Sequence, residues 1–215
     1  MQQLAYQWKL SHVCAATMAW LLSGCEPPGP TSVNALDDAQ AVSAHELVGA
    51  WFGELGGQEA YVHVVGTREG ALETVLIGHN SQPSQDWGAA LAAPARIGSA
   101  QFLSVKMTGR HGRDVSGTRD AQEYLIVRYR PTKDRRHVAL FAMDPAIVRD
   151  AIKVQKLQGD PSGKHIYSST EELQQFVETS SIEELFSLPI GYLERTSEED
   201  SPIVEGNHSN RLPSK

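Results

Sequence analysis

The sequence predicts one α+β domain, mainly antiparallel β, that forms a small barrel or a curved sheet with two or three helices late in the domain. Two observations lead to this prediction. Short runs rich in β-branched and aromatic residues, separated by Gly-containing turns, occupy the first part of the domain. Later in the chain, apolar residues recur at helical spacing behind helix-capping residues. A series of strands followed by helices is typical of α+β proteins.

The strand-like runs predict an antiparallel meander. Gly56-Gly57 and Arg68-Glu69-Gly70 separate the first three runs, as hairpin turns require. The segment 78–98 is rich in Gly, Ala, Pro and Ser, so we predict a long loop that carries Trp87. Six strands are expected before the first helix, at 50–55, 60–65, 72–77, 102–108, 123–129 and 137–143.

Capping residues mark the helices that follow. Asp144 is a good N-cap with Pro145 at the first helical position, and they predict a helix that ends at Gly159. The Ser-Thr-Glu-Glu sequence at 169–172 is a capping box, and residues 181–184 repeat its signature. A last strand is expected over 191–195.

An apolar stretch from Leu10 to Leu22 precedes the domain and follows one basic residue, Lys9. It is shorter than the about 20 residues that a membrane-spanning helix needs. The order of charge, short apolar run, small residues and Cys resembles the signal peptide and lipobox of bacterial lipoproteins, and Leu22-Ser23-Gly24-Cys25 matches that pattern. The resemblance implies cleavage between Gly24 and Cys25 and acyl chains on Cys25. The alternative is a buried helix with Cys25 as an ordinary thiol, but the Pro-rich segment after Cys25 cannot continue a helix.

The lipoprotein resemblance implies the signal peptide, and composition predicts how the rest of the chain is organised. We expect a signal peptide over 1–24, a flexible tether over 25–44, one globular domain over 45–196 and a disordered tail over 197–215. Glu26, rather than Asp, follows the lipidated Cys, which implies the outer membrane with the domain facing the periplasm. Cys14 would leave with the signal peptide, so the mature protein would have neither a free thiol nor a disulfide.

Composition narrows the range of partners. The chain has 19 Lys and Arg against 26 Asp and Glu, for a net charge of −7. Nucleic-acid binding is therefore not expected, because phosphate contacts need a positive surface. The same negative charge disfavours electrostatic binding to anionic lipids over a broad surface, so membrane attachment would depend on the acyl chains.

Catalytic and cofactor motifs are missing from the sequence. It contains no HExxH, no Gly-x-Ser-x-Gly, no phosphate-binding loop and no dinucleotide fingerprint. The eight histidines follow no ligand spacing, although His63, His79 and His137 would meet if their strands were neighbours. We expect a protein that binds a ligand or a partner and needs neither cofactor nor metal. An unidentified hydrolase is the third possibility, after the two binding functions described below.

Gly49-Ala50-Trp51 opens the first strand and resembles the Gly-x-Trp with which lipocalins and other calycin barrels begin. In those families the Trp closes the barrel floor and an Arg from a late strand packs across it. The resemblance implies that Arg195 takes this place. It also implies a pocket for a small apolar ligand, with Trp51 in contact with the ligand. Trp87 is then either a lid over the mouth or a loop anchor.

One basic cluster suggests a different function. Arg128 and Arg130 share a strand face opposite Leu125, Val127 and Tyr129. With Arg135 and Arg136 in the following turn, they form a basic hairpin that would suit an anionic partner. A structural or assembly lipoprotein that docks on another envelope component is therefore the alternative function. The other interpretation, which we favour for the cluster itself, is a set of solvated charges that balance a surplus of acidic residues elsewhere.

Overall fold

The computed structural model describes residues 29–36, 44–68, 70–78, 87–110, 113–114 and 122–196. Within them lie a 3-10 turn, His45–Leu47, and three α-helices, α1 (Pro145–Lys153), α2 (Thr170–Thr179) and α3 (Ile182–Leu185). The strands are β1 (Thr31–Ser32), β2 (Gly49–Leu55), β3 (Gln58–Gly66), β4 (Leu72–Gly78), β5 (Trp87–Ile97), β6 (Ala100–Arg110), β7 (Arg113–Asp114), β8 (Tyr124–Pro131), β9 (His137–Ala142), β10 (His165–Ile166) and β11 (Leu188–Arg195).

Eight of these strands close into an antiparallel barrel in the order β2-β3-β4-β5-β6-β8-β9-β11. Pairing of β11 with β2 completes the ring, with Leu193 opposite Gly53. A Cβ at Gly53 would overlap the carbonyl oxygen of Tyr192, so Gly lets the two strands approach at this position. The prediction of a mainly antiparallel α+β domain with a small barrel is confirmed. An eight-stranded barrel is just wide enough for side chains to fill it or for one small ligand to fit.

The predicted loop over 78–98 is wrong, because β5 is an eleven-residue strand. Its Ala-rich sequence has little intrinsic preference for a strand. Pairing with β4 over residues 87–92, and with β6 along most of its length, holds it extended instead. Pro94 lies beyond the part that β4 reaches, where a missing backbone donor costs no hydrogen bond to that neighbour.

The helices lie between β9 and β11 and cover one side of the barrel. Asp144 accepts a hydrogen bond from the Ala146 amide at 2.7 Å, as expected of an N-cap. Helix α1 ends at Lys153, well before the predicted stop at Gly159, which instead forms a bridge with Ile166. Outward-facing residues of β5, β6 and β8 and apolar residues of the helices form a second core that includes Ile97, Phe102, Ile126, Val148, Leu173, Val177 and Phe186.

Helix α2 begins with the predicted capping box. The Ser169 hydroxyl accepts from the Glu172 amide at 3.2 Å, and the Glu172 carboxylate accepts from the Ser169 amide at 3.0 Å. We expect Ser169→Ala to lower the free energy of unfolding by about 1 kcal/mol, measured by urea denaturation. Ser99→Ala, in an exposed turn, is the control and should stay within about 0.5 kcal/mol of the wild type. Equal effects of the two changes would contradict the cap's contribution.

Part of the predicted tether belongs to the folded domain. Residues 29–36 lie against the barrel, where β1 pairs antiparallel with β8 and parallel with β10. Leu36 is 2% exposed and joins the core beneath the helices. Composition suggested a flexible segment, but backbone pairing, side-chain hydrogen bonds and the buried Leu36 side chain hold it against the barrel. Prediction of a flexible tether is therefore wrong for residues 29–36.

The predicted signal peptide, the lipobox with Gly24 and Cys25, and the tail 197–215 lie outside the described residues. Within the described part of the chain, every helix is too short or too polar to cross a lipid bilayer.

Candidate ligand cavity and its floor

A cavity of about 150 Å³ lies inside the barrel. Inward-facing residues from all eight barrel strands line it, among them Trp51, Val62, Leu76, Ala90, Leu103, Val127, Leu140 and Leu193. Among the described residues, the lining has no charged side chain, and Thr74 supplies its one side-chain hydroxyl. An apolar cavity of this size offers water few hydrogen-bond partners and suits a small apolar molecule.

Trp51 closes the floor of this cavity and is 2% exposed. Its indole nitrogen donates to the Leu47 carbonyl at 2.8 Å, which ties the 3-10 turn across the barrel end. The Arg195 guanidinium lies over the other face of the floor, with its Cζ 4.4 Å from the Trp51 ring centroid. It donates to the carbonyls of Val48, at 2.8 Å, and Glu46. Arg195 therefore packs across Trp51 in the way that the calycin resemblance implied.

Gly49 makes room for this arrangement. A Cβ at Gly49 would lie 2.7 Å from Nη1 of Arg195, and the backbone there has φ +132°. Residues that carry a side chain rarely adopt that backbone conformation, and a side chain at this position would displace the guanidinium. The position of the Arg195 guanidinium and the backbone conformation thus explain why Gly49, the Gly of the Gly-x-Trp sequence, carries no side chain.

A polar network that the sequence did not reveal completes the floor. The Tyr129 hydroxyl and the Gln101 amide donate to the same Glu46 carboxylate oxygen, at 3.2 and 3.0 Å. Burial, followed by the nearby Glu46 carboxylate, raises the pKa of Tyr129 well above its usual range. The phenol therefore stays protonated and remains a donor. Glu46 and Gln101 are far apart in sequence and belong to no motif, so only the fold brings them together.

The mouth lies at the opposite end of the barrel. The β2–β3 turn at Gly56 and the first residues of β5, β8 and β11 form its rim. A Cβ at Gly88 would lie 3.3 Å from the Met107 methyl carbon, so a side chain at this position of the rim would require the Met107 side chain to shift slightly. Trp87 begins β5 opposite Ile77. The structure does not describe its side chain, so the choice between a lid and an anchor stays a prediction.

The structure divides the predicted basic hairpin. Arg128 is 8% exposed and donates to Glu183 of α3 at 2.6 Å, and Arg130 approaches the same carboxylate at 3.5 Å. Arg135 and Arg136 lie in the turn beside the floor, where their carbonyls accept from Arg195. Arg128 is thus buried beneath a helix, and its place on an exposed docking face is wrong.

The Arg128–Glu183 pair predicts a specific pH dependence of stability. The hydrogen bond from Arg128 holds the pKa of the Glu183 carboxyl below its usual range. A lowered folded-state pKa contributes stability above the unfolded pKa, and that contribution is lost as pH falls through the folded value. We expect Glu183→Gln to reduce the loss of stability below about pH 4.3. Urea denaturation from pH 7 to 3 measures this change, with Glu184→Gln on the same helix as the control. Identical pH profiles for Glu183→Gln and the wild type would contradict the prediction.

A second polar cluster joins β1 to the barrel. The Glu123 carboxylate is buried and accepts from the Thr31 hydroxyl, and His165 Nδ1 lies 2.8 Å from the same oxygen. In a catalytic triad, one ring nitrogen of the His contacts the carboxylate and the other ring nitrogen contacts the nucleophilic hydroxyl. Here Nδ1 faces both Glu123 and Thr31, so the geometry is that of a structural clamp.

Metal ligands do not converge in the described part of the chain. No group of three or more His, Cys, Asp or Glu residues there is arranged to hold a metal ion. His63 lies on the outer face of β3, and His137 stacks on Tyr192 with ring centroids 5.5 Å apart. The third member of the proposed histidine group, His79, lies outside the described residues.

No protein-family model matches this chain, and neither the curated proteins nor the solved structures contain a significant match.

Proposed function

We propose that this protein is a lipid-anchored lipoprotein of the bacterial envelope whose barrel binds a small apolar ligand. The observation that carries the binding function is the cavity, which all eight strands line with apolar side chains above the Trp51–Arg195 floor. The Leu22-Ser23-Gly24-Cys25 sequence supports the anchor, and Glu26 favours the outer membrane with the domain in the periplasm. This function needs neither a cofactor nor a catalytic residue.

The lining determines the chemistry of the ligand. A charged group inside the cavity would lose its hydration without gaining an ion pair, which is costly. Each apolar contact with Val62, Leu103 or Val127 instead removes hydrocarbon from water, worth about 25 cal/mol per Å². Thr74 offers one hydrogen bond, enough to orient a single ester, hydroxyl or carbonyl group. The ligand is therefore a hydrocarbon chain or ring with at most one polar group inside the barrel.

Native mass spectrometry tests the binding function. Residues 26–215 would be produced in a bacterial periplasm and purified without detergent, which would otherwise compete for the cavity. We expect a stoichiometric extra mass that is released on denaturation and that extracts into organic solvent. A bare protein mass, unchanged after incubation with a library of fatty acids and apolar small molecules, would refute the binding function.

A separate experiment tests the anchor. We expect the full-length chain to be cleaved at Cys25 and to incorporate labelled palmitate in cells. Cys25→Ser should abolish the label and leave the precursor uncleaved, whereas Cys14→Ser should leave both properties unchanged. The anchor hypothesis fails if Cys25→Ser keeps the processing pattern and membrane fraction of the wild type.

A further inference from the structure

The N-terminal segment joins the barrel at the mouth of the cavity. Thr31 of β1 pairs with Leu125, which lines the cavity at the start of β8. Gly29 lies against Ala142, the last residue of β9, where an added Cβ would be 2.7 Å from the Ala142 Cβ. The strand ends at Ala142 and Leu125 are those that surround the mouth, whereas the floor lies at the other ends of the same strands.

This junction is held in place by several independent contacts. Thr31 donates to the buried Glu123 carboxylate, which also contacts His165. The Leu36 amide donates to the Ser104 hydroxyl at 2.9 Å, and the Asn34 side chain donates to the Ser168 carbonyl at 2.8 Å. The segment is therefore fixed on the barrel at a defined position and moves together with it.

Covalent geometry limits how far this point can lie from Cys25. Three residues separate Cys25 from Gly29, and a fully extended chain covers at most about 3.6 Å per residue. Gly29 thus lies within about 14 Å of Cys25 in every conformation of the link. The floor is a further barrel length away, roughly 20 Å for strands of this size and tilt.

We infer that the mouth faces the membrane that holds the protein, and that the ligand is the acyl chain of a lipid passing directly between that membrane and the cavity. This inference rests on the proposed lipid anchor and apolar cavity. The uncharged lining admits the hydrocarbon chain and leaves a polar headgroup at the mouth, where the lipid headgroups of the membrane lie.

Fluorescence quenching measures the orientation. Glu59, exposed near the mouth, and Lys133, exposed in the turn beside the floor, are each changed to Cys in the acylated full-length protein and labelled. In the processed protein Cys14 has left with the signal peptide and Cys25 carries its acyl chains, so each new thiol is the one reactive thiol. In vesicles of phosphatidylethanolamine and phosphatidylglycerol with a headgroup nitroxide, we expect quenching at Glu59→Cys to be at least about twofold stronger, given the roughly 20 Å between the sites. Equal quenching, or stronger quenching at Lys133→Cys, would overturn the inference.

A longer link supplies the matched control. Inserting about twelve Gly and Ser residues between Pro28 and Gly29 releases the barrel from the surface. We expect the quenching difference to disappear and uptake of a pyrene-labelled phospholipid from the vesicles to slow at least about twofold, while affinity for a soluble fatty acid is unchanged. An unchanged uptake rate would contradict direct transfer. If the wild-type chain fails to sediment with vesicles, or its mass lacks acyl chains, the proposed anchor itself has failed.

Discussion

Replacing Trp51 with Ala is expected to lower the free energy of unfolding by about 3–5 kcal/mol, as for other buried aromatic residues. The indole is almost completely buried and contacts both the cavity and the Arg195 guanidinium. Its removal would merge the cavity with a new void, so the barrel end could not collapse to recover the lost contacts. The hydrogen bond to Leu47, which holds the 3-10 turn, would also be lost.

Urea denaturation followed by far-ultraviolet circular dichroism measures this loss, because it does not depend on tryptophan fluorescence. Tyr192→Ala removes an aromatic side chain that is 54% exposed on β11 and is the control. We expect a loss of about 1 kcal/mol or less there. If Trp51→Ala costs no more than Tyr192→Ala, the floor does not stabilise the barrel as argued.

Replacing Ala90 with Leu is expected to abolish most ligand binding while the barrel stays folded. Ala90 is buried and faces the cavity between Thr74 of β4 and Met107 of β6. Three added carbon atoms would occupy space that the ligand needs, whereas the apolar surroundings tolerate them. We expect the Kd of the bound ligand to rise at least about tenfold, equivalent to about 1.4 kcal/mol.

The adjacent Ala89 provides the control for this prediction. Ala89 lies on the same strand opposite Val75, with its side chain on the outer face. Ala89→Leu should retain the ligand mass and its affinity, and both variants should keep the wild-type circular dichroism spectrum. A folded Ala90→Leu protein that keeps wild-type affinity would place the ligand outside the barrel.

Local signals explain the parts of the fold and the floor that the sequence predicted. Asp144 and Ser169 were recognisable as N-caps because a cap depends on neighbours within a few residues. Trp51 and Arg195 were recognisable only through a family resemblance, which linked two residues at opposite ends of the domain. Glu46 and Gln101 carried no comparable signal, since an isolated polar residue has many potential partners.

Long-range pairing explains what could not be predicted. An Ala-rich strand such as β5 is ordered by β4 and β6 rather than by its own composition. Arg128 was assigned to an exposed face because alternation tells which residues share a side, not whether a helix covers that side. The same limit hid residues 29–36, whose neighbours β8 and β10 lie far along the chain.

The sequence by itself determined the α+β class, the first hairpins and the helix caps at Asp144 and Ser169, because periodicity and capping act between residues close in the chain. The capping signature repeated at Ser181 is not confirmed, since the Ser181 side chain makes no cap hydrogen bond. It is also the whole basis for the proposed lipid anchor, because Cys25 lies outside the described residues. The tertiary structure alone decided that the sheet closes, that a cavity remains inside it, and that the N-terminal segment leaves at the mouth. Closure and cavity depend on strands and side-chain volumes from all parts of the domain, which no local pattern records.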